Sequence, residues 1–208
     1  MSARDDILSA IRDQRVRSAP RPAPYRPPAQ SELTAAFIAR ASLANAEVRI
    51  LQSEDDIPQA IAELLRSKNL PAVLHVPASA KALPWQSAPG LTIETAAPGA
   101  DDAALATAPF GIAETGTLAY PAAAHAPASW HFRAGLEIAI LRAGNIVPHM
   151  ETAIARLKTS GDLPHTINFV TGPSRTGDIE QTLELGAHGP KALAIFVIDP
   201  SQDANSRE

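Results

Sequence analysis

The spacing of apolar residues changes period repeatedly along this chain, and each change predicts an element. Leu33, Phe37, Ile38 and Ala41 recur at helical spacing, which predicts an amphipathic helix over residues 31–46 with Ser31 as its N-cap. Residues 47–51, Glu-Val-Arg-Ile-Leu, alternate like a strand. A second amphipathic helix runs from Asp55 or Asp56 to Ser67, with Ile57, Ile61, Leu64 and Leu65 on one face. Pro58 falls in its first turn, where a missing N–H is tolerated. Residues 72–76 form an unbroken apolar run ended by Pro77, the pattern of a buried strand. A weaker strand is expected at 91–94 and a short helix at 101–106. Downstream, strands are expected at 117–120, 137–141, 166–170 and 192–198, and helices at about 150–158 and 177–185.

Helices alternating with short apolar strands imply an α/β domain, its mostly parallel sheet covered on both faces. Such folds bind ligands outside the carboxyl ends of their strands, so the loops after strands are where chemistry is sought. Upstream, five prolines between Pro20 and Pro28 forbid a helix or a central strand and predict an extended connector. Before it, Ile7, Leu8 and Ile11 place an apolar stripe on a short helix over residues 2–17. The expected division is therefore a helix and proline-rich arm at 1–30, one domain at 31–200, and a polar tail at 201–208.

Composition narrows the chemistry. Of 208 residues, 45% are hydrophobic, enough for a core. The formal charge of -4 offers no basic surplus for a phosphate backbone, and 4% aromatics provide no stacking platform, so nucleic acid is not an expected partner. The chain has no Cys, which excludes Cys-ligated zinc, iron–sulfur clusters and a thiol nucleophile in this chain. No apolar run is long enough to span a membrane, and the charged N-terminus resembles no secretion signal. A cytoplasmic location is the expectation.

Three loops carry candidate chemistry. Residues 171–180, Thr-Gly-Pro-Ser-Arg-Thr-Gly-Asp-Ile-Glu, follow a strand and are expected to open a helix. Gly172 permits a tight turn, Ser174 and Thr176 supply hydroxyls, and Arg175 supplies a cation, a combination suited to an anion. The alternative is a capped helix with Thr176 or Asp178 as the cap. Neither a P-loop nor a nucleophile elbow fits: Asp178 stands where the first needs Lys, and Thr176 where the second needs Gly. In the second loop, residues 111–117, Glu114 is flanked by small and hydroxyl residues. It is a candidate general base, nucleophile or ligand, or alternatively a turn residue accepting backbone N–H groups. In the third, residues 185–190, His188 sits between Gly-Ala and Gly-Pro, as a ligand-orienting or plain turn histidine. His75 reads as a core histidine. His125, His131, His149 and His165 show no metal-ligand spacing.

Taken in order, Gly-Ile-Ala-Glu-Thr-Gly-Thr-Leu at 111–118, the 171–180 loop and Leu-Gly-Ala-His-Gly-Pro at 185–190 closely resemble the LUD-domain family. The resemblance implies a three-layer α/β/α domain, similar to the NagB/RpiA/CoA-transferase-like fold. It implies work in a bacterial L-lactate oxidation or utilization system beside two iron–sulfur partner subunits. It further implies Glu114 as a carboxylate in catalysis or ligand positioning. Thr115, Gly116, Thr117, Gly172, Ser174, Arg175, Thr176, Asp178 and His188 would contact a small anionic ligand. The missing cysteines then fit a subunit that carries no cluster. No metal is implied, and the cofactor and reaction stay open. The alternatives are a component of an L-lactate dehydrogenase-type complex, a non-catalytic scaffold for iron–sulfur subunits, and a diverged transferase- or ligase-like protein that binds CoA or a nucleotide. The chain departs from the family pattern at one place: Glu137 stands where members have His, and Ala134 where they have Pro.

Overall fold

The structure, a computed structural model, describes residues 3–13, 32–122, 129–159, 161, 164–177, 183–185 and 189–201. Five helices are described: α1 (Ala3–Asp13), α2 (Leu33–Leu43), α3 (Ile57–Ser67), α4 (Ser129–Phe132) and α5 (Met150–Thr159). The strands are β1 (Glu47–Leu51), β2 (Val73–His75), β3 (Thr92–Glu94), β4 (Ala103–Thr107), β5 (Phe110–Ile112), β6 (Thr117–Pro121), β7 (Leu136–Arg142), β8 (Ile146–Val147), β9 (Ile167–Val170), β10 (Arg175–Gly177), β11 (Leu183–Leu185) and β12 (Ala192–Ile198). The proline-rich connector of residues 20–28 lies outside the described residues.

Six strands form one parallel sheet in the order β1-β12-β7-β4-β2-β3. The chain fills both faces because its central strands are apolar at nearly every position. Along β12, Ala194, Phe196 and Ile198 join one buried cluster with Ile57, Ile61, Leu64 and Leu65 of α3. Leu193, Ile195 and Val197 point the other way, into a cluster with Phe37 and Ala41 of α2. Burying a Leu, Ile or Phe side chain contributes about 1.5–3 kcal/mol, so these two faces dominate the stability. A second sheet, ordered β8-β5-β6-β9, shares the α2 face through Leu118 and Tyr120. Its far side packs Ile112, Ala119 and Val147 against Ala153 of α5.

Local signals set the helix ends. Glu32, not Ser31, stands at the cap position of α2 and makes no side-chain cap bond. Ahead of α3, Ser53 and Asp56 form a reciprocal capping box on a short 3₁₀ turn. Both α2 and α3 end on an asparagine in the left-handed region, Asn45 at φ 67° and Asn69 at φ 53°. The bonds from Ala46 N to Ala41 O and from Leu70 N to Leu65 O close each end as a Schellman turn.

Where two helices are expected, the described residues form strands instead. Residues 103–107, Ala-Ala-Leu-Ala-Thr, are rich in helix formers, yet they form β4 because they lie between β2 and β7 with both faces buried. No helix starts at Gly177: β10 and β11 pair antiparallel, with Arg175 opposite Leu185 and Gly177 opposite Leu183. Ladder pairing between segments overrides the helical spacing there.

Candidate functional site

The turn between β5 and β6 carries Glu114 to Thr117. The Glu114 carboxylate is half-exposed, with Oε2 3.3 Å from Nδ1 of the buried His149. An ionised carboxylate only accepts, so this contact assigns a hydrogen to Nδ1. Thr115 and Thr117 hydroxyls lie 2.6 Å apart, and Thr117 reaches the Thr171 hydroxyl at 2.7 Å. This chain of three hydroxyls joins the second candidate loop to the first.

The glycines of these loops have packing duties. Gly116 has φ +67°, and a Cβ there would overlap the backbone of Arg40 and Ala41. Gly172 has φ +69°, and a Cβ there would overlap the carbonyl of Ala44. Both loops therefore close onto the last turn of α2, and only glycine allows the approach. Ser174 donates its backbone N–H to Pro190 O at 2.9 Å, which brings the third loop alongside. Arg175 is exposed on β10, and Thr176 lies opposite Glu184. Asp178 and His188 fall outside the described residues.

A different place holds a pocket open to solvent on one side. β2 pairs with β4 at one position, His75 opposite Ala104, and ends there, with Pro77 lining the space beyond. A cavity of about 530 Å³ lies at the carboxyl ends of β2, β4 and β7. Ser79, Thr107, Tyr120, Trp130, His131 and Arg142 are among its lining residues. Of the ten residues expected from sequence, the eight that are described do not line it. Arg142 is held at its mouth by Glu54, whose Oε1 accepts from Nε at 2.7 Å and from Nη2.

Behind the cavity wall sits a buried polar cluster. Glu137, fully buried on β7, accepts at Oε1 from the Tyr120 hydroxyl at 2.8 Å and from His131 Nδ1 at 3.2 Å. Its Oε2 is buried with no partner among the described residues. The rings of Tyr120 and His131 stack with centroids 3.8 Å apart and planes 25° apart. Burial, joined by the charge and hydrogen bond of Glu137, raises the Tyr120 hydroxyl well above its usual pKa. Sequence reading marks Glu137 only as a departure from the family pattern and misses the cluster it forms. Its signal is Glu137 itself, a charged residue inside the apolar run of a central strand, which demands polar partners. His75 is the core histidine expected, with Nδ1 2.8 Å from Ala96 O and Nε2 3.2 Å from Asp102. Among the described residues, no group of three His, Asp or Glu could hold a metal, and no helix is long and apolar enough to cross a membrane.

Fold and cavity together define an α/β domain with a small-molecule-sized space at its strand ends. The sequence model of the LUD domain matches residues 99–198. It is similar to proteins named lactate utilization protein C. The relative from Geobacillus kaustophilus is 36% identical over 91 residues, covering 42% of this chain and 38% of that protein. The one from Bacillus velezensis is 40% identical over 93 residues, covering 42% and 39%. That from Bacillus licheniformis is 46% identical over 66 residues, covering 30% and 28%. The matches thus span under two-fifths of these relatives' lengths. A solved structure of a DUF162 family protein from Deinococcus radiodurans superposes with a TM-score of 0.58 at 20% identity, over 83% of this chain and 100% of that one. That likeness shows the α/β fold.

Proposed function

We propose that this chain acts in lactate utilization by binding a small organic anion in the cavity at the ends of β2, β4 and β7. The observation that carries the reading is Arg142, a half-exposed cation that lines the cavity together with Tyr120 and His131. Glu54 engages Nε and Nη2 of Arg142, and the Nη1 donors stay free for a carboxylate among the described residues. The names of the relatives supply the pathway.

Calorimetric titration with L-lactate tests it. Arg142→Ala is expected to weaken binding about tenfold or more, the worth of a charge-assisted hydrogen bond. Arg175→Ala is expected to leave it unchanged. The opposite pattern moves the anion to the loops of Glu114, Ser174 and Arg175, a second site supported by the exposed Arg175. The cavity volume favours a further reading. It falls in the range of drug-sized ligand sites, so a larger phosphorylated or CoA-type anion also fits. Titration with phosphorylated ligands separates the two.

We also propose iron–sulfur partner subunits. A chain with no Cys cannot ligate a cluster through thiolates, so redox centres of that kind would sit in another protein. Among the described residues α1 buries none of its side chains, and Ile7 and Ile11 are about 60% exposed. That apolar stripe is the proposed docking element. Deleting residues 1–28 should abolish co-purification while residues 31–200 stay folded; unchanged co-purification removes this role.

A further inference from the structure

We propose that His131 is the hydrogen-bond acceptor through which the cavity recognises a ligand hydroxyl, with Glu137 and Tyr120 as its positioning residues. The ligand class this selects is a 2-hydroxy acid in preference to the matching 2-oxo acid. The inference rests on the anion reading above and adds the group that reads the carbon next to the carboxylate.

The geometry leaves little freedom to the imidazole. Its ring lies against Tyr120 on one face, and its Nδ1 edge meets Glu137 Oε1. Tyr120 donates to the same oxygen, so the carboxylate is itself tied on two sides. A carboxylate offers only lone pairs, so the shared contact assigns the hydrogen of the neutral ring to Nδ1. Nε2 then carries the lone pair. It makes no hydrogen bond among the described residues, while the ring lines the cavity. An acceptor fixed in direction by a buried carboxylate behind it is the arrangement that orients imidazoles toward substrate hydroxyls.

Two features separate this from a histidine that merely packs. Glu137 is fully buried in the middle of the fold, and its Oε2 stays unpartnered among the described residues. A packing role would be served better by an apolar side chain, since an unpaired buried oxygen is destabilising. Second, the ring is almost entirely buried yet its free nitrogen belongs to the residue that forms the cavity wall. A 2-oxo acid presents only acceptors at the position where a 2-hydroxy acid presents O–H. The Nε2 lone pair therefore attracts one and repels the other.

The test uses the full chain, calorimetry with L-lactate and with pyruvate, and ¹⁵N NMR of the histidine side chains. Wild type is expected to prefer L-lactate about tenfold, one hydrogen bond's worth. His131→Phe keeps the stacked ring and removes both nitrogens. It is expected to erase the preference, weakening L-lactate binding and relieving the repulsion of pyruvate, near-ultraviolet circular dichroism confirming the fold. The NMR spectrum is expected to show His131 protonated at Nδ1 and bare at Nε2, and Glu137→Gln to shift that tautomer balance and reduce the preference. Should neither acid bind wild type, the anion reading fails and the hydroxyl assignment falls with it. Should both bind equally, should the preference survive His131→Phe, or should Nε2 carry the proton, the His131 assignment alone is overturned. A Glu137→Gln protein with unaltered tautomer and preference removes the positioning role.

Discussion

Gly116→Ala separates a ligand-binding glycine from a packing one. The residue sits at φ +67°, where an alanine costs about 1–2 kcal/mol. The added methyl would also fall less than 3.0 Å from three backbone atoms of α2: the Arg40 carbonyl carbon and the nitrogen and Cα of Ala41. Those are not the far end of a flexible side chain, so relief requires the helix end or the β5–β6 turn to move. Ala41 is fully buried and anchors α2 in the core, so movement there disturbs packing at about 1–3 kcal/mol. The sum is roughly 2–5 kcal/mol, which for a chain of this size lowers the melting temperature by about 4–20 °C. Gly144→Ala is the control: nothing lies within 4 Å of the point its new methyl would occupy, and the change should stay within about 0.5 kcal/mol. Urea and thermal unfolding followed by circular dichroism measure both. A Gly116→Ala protein as stable as Gly144→Ala refutes the packing argument, and loss of L-lactate binding at unchanged stability would return Gly116 to the ligand.

Other outcomes follow from the same contacts. The Tyr120 hydroxyl stays neutral in the fold beyond the pH at which an unfolded tyrosine ionises, about 10, so stability is full below that pH and falls above it, by up to about 1.4 kcal/mol per pH unit. Tyr120→Phe should flatten that alkaline loss in urea titrations between about pH 9 and 11; equal slopes would contradict it. Thr117→Val keeps the shape but breaks the hydroxyl chain from Thr115 to Thr171, and is expected to destabilise by about 0.5–1.5 kcal/mol, because its neighbours can turn to water. Phe196→Ala, in the centre of the α3 face, should destabilise by about 3–5 kcal/mol; a loss under about 1 kcal/mol in denaturant titration would mean that this face is not the core.

The alternation along β12 and the helical stripe of α3 could be read directly, because side chains on one strand or helix choose their faces by a local period. The Ala-rich stretch at 103–107 could not, since alanine and leucine favour a helix until β2 and β7 claim the backbone on either side. The candidate site divides in the same way. Glu114, Ser174 and Arg175 stand out by residue type and by turn chemistry within a few positions. The meeting of Thr117 with Thr171 joins residues 54 apart, and no short window shows it. Gly116 and Gly172 are visible as glycines, but their reason, the end of α2, lies far upstream of both in the chain. Sequence by itself thus determined the α/β class, the absence of cysteine chemistry and the motifs of the LUD domain, all of which depend on composition or local order. The cavity, the duties of the glycines and the joining of Tyr120, His131 and Glu137 were decided by tertiary structure alone, because a side chain's partners are set by how distant segments pack, and distance along the chain does not encode that.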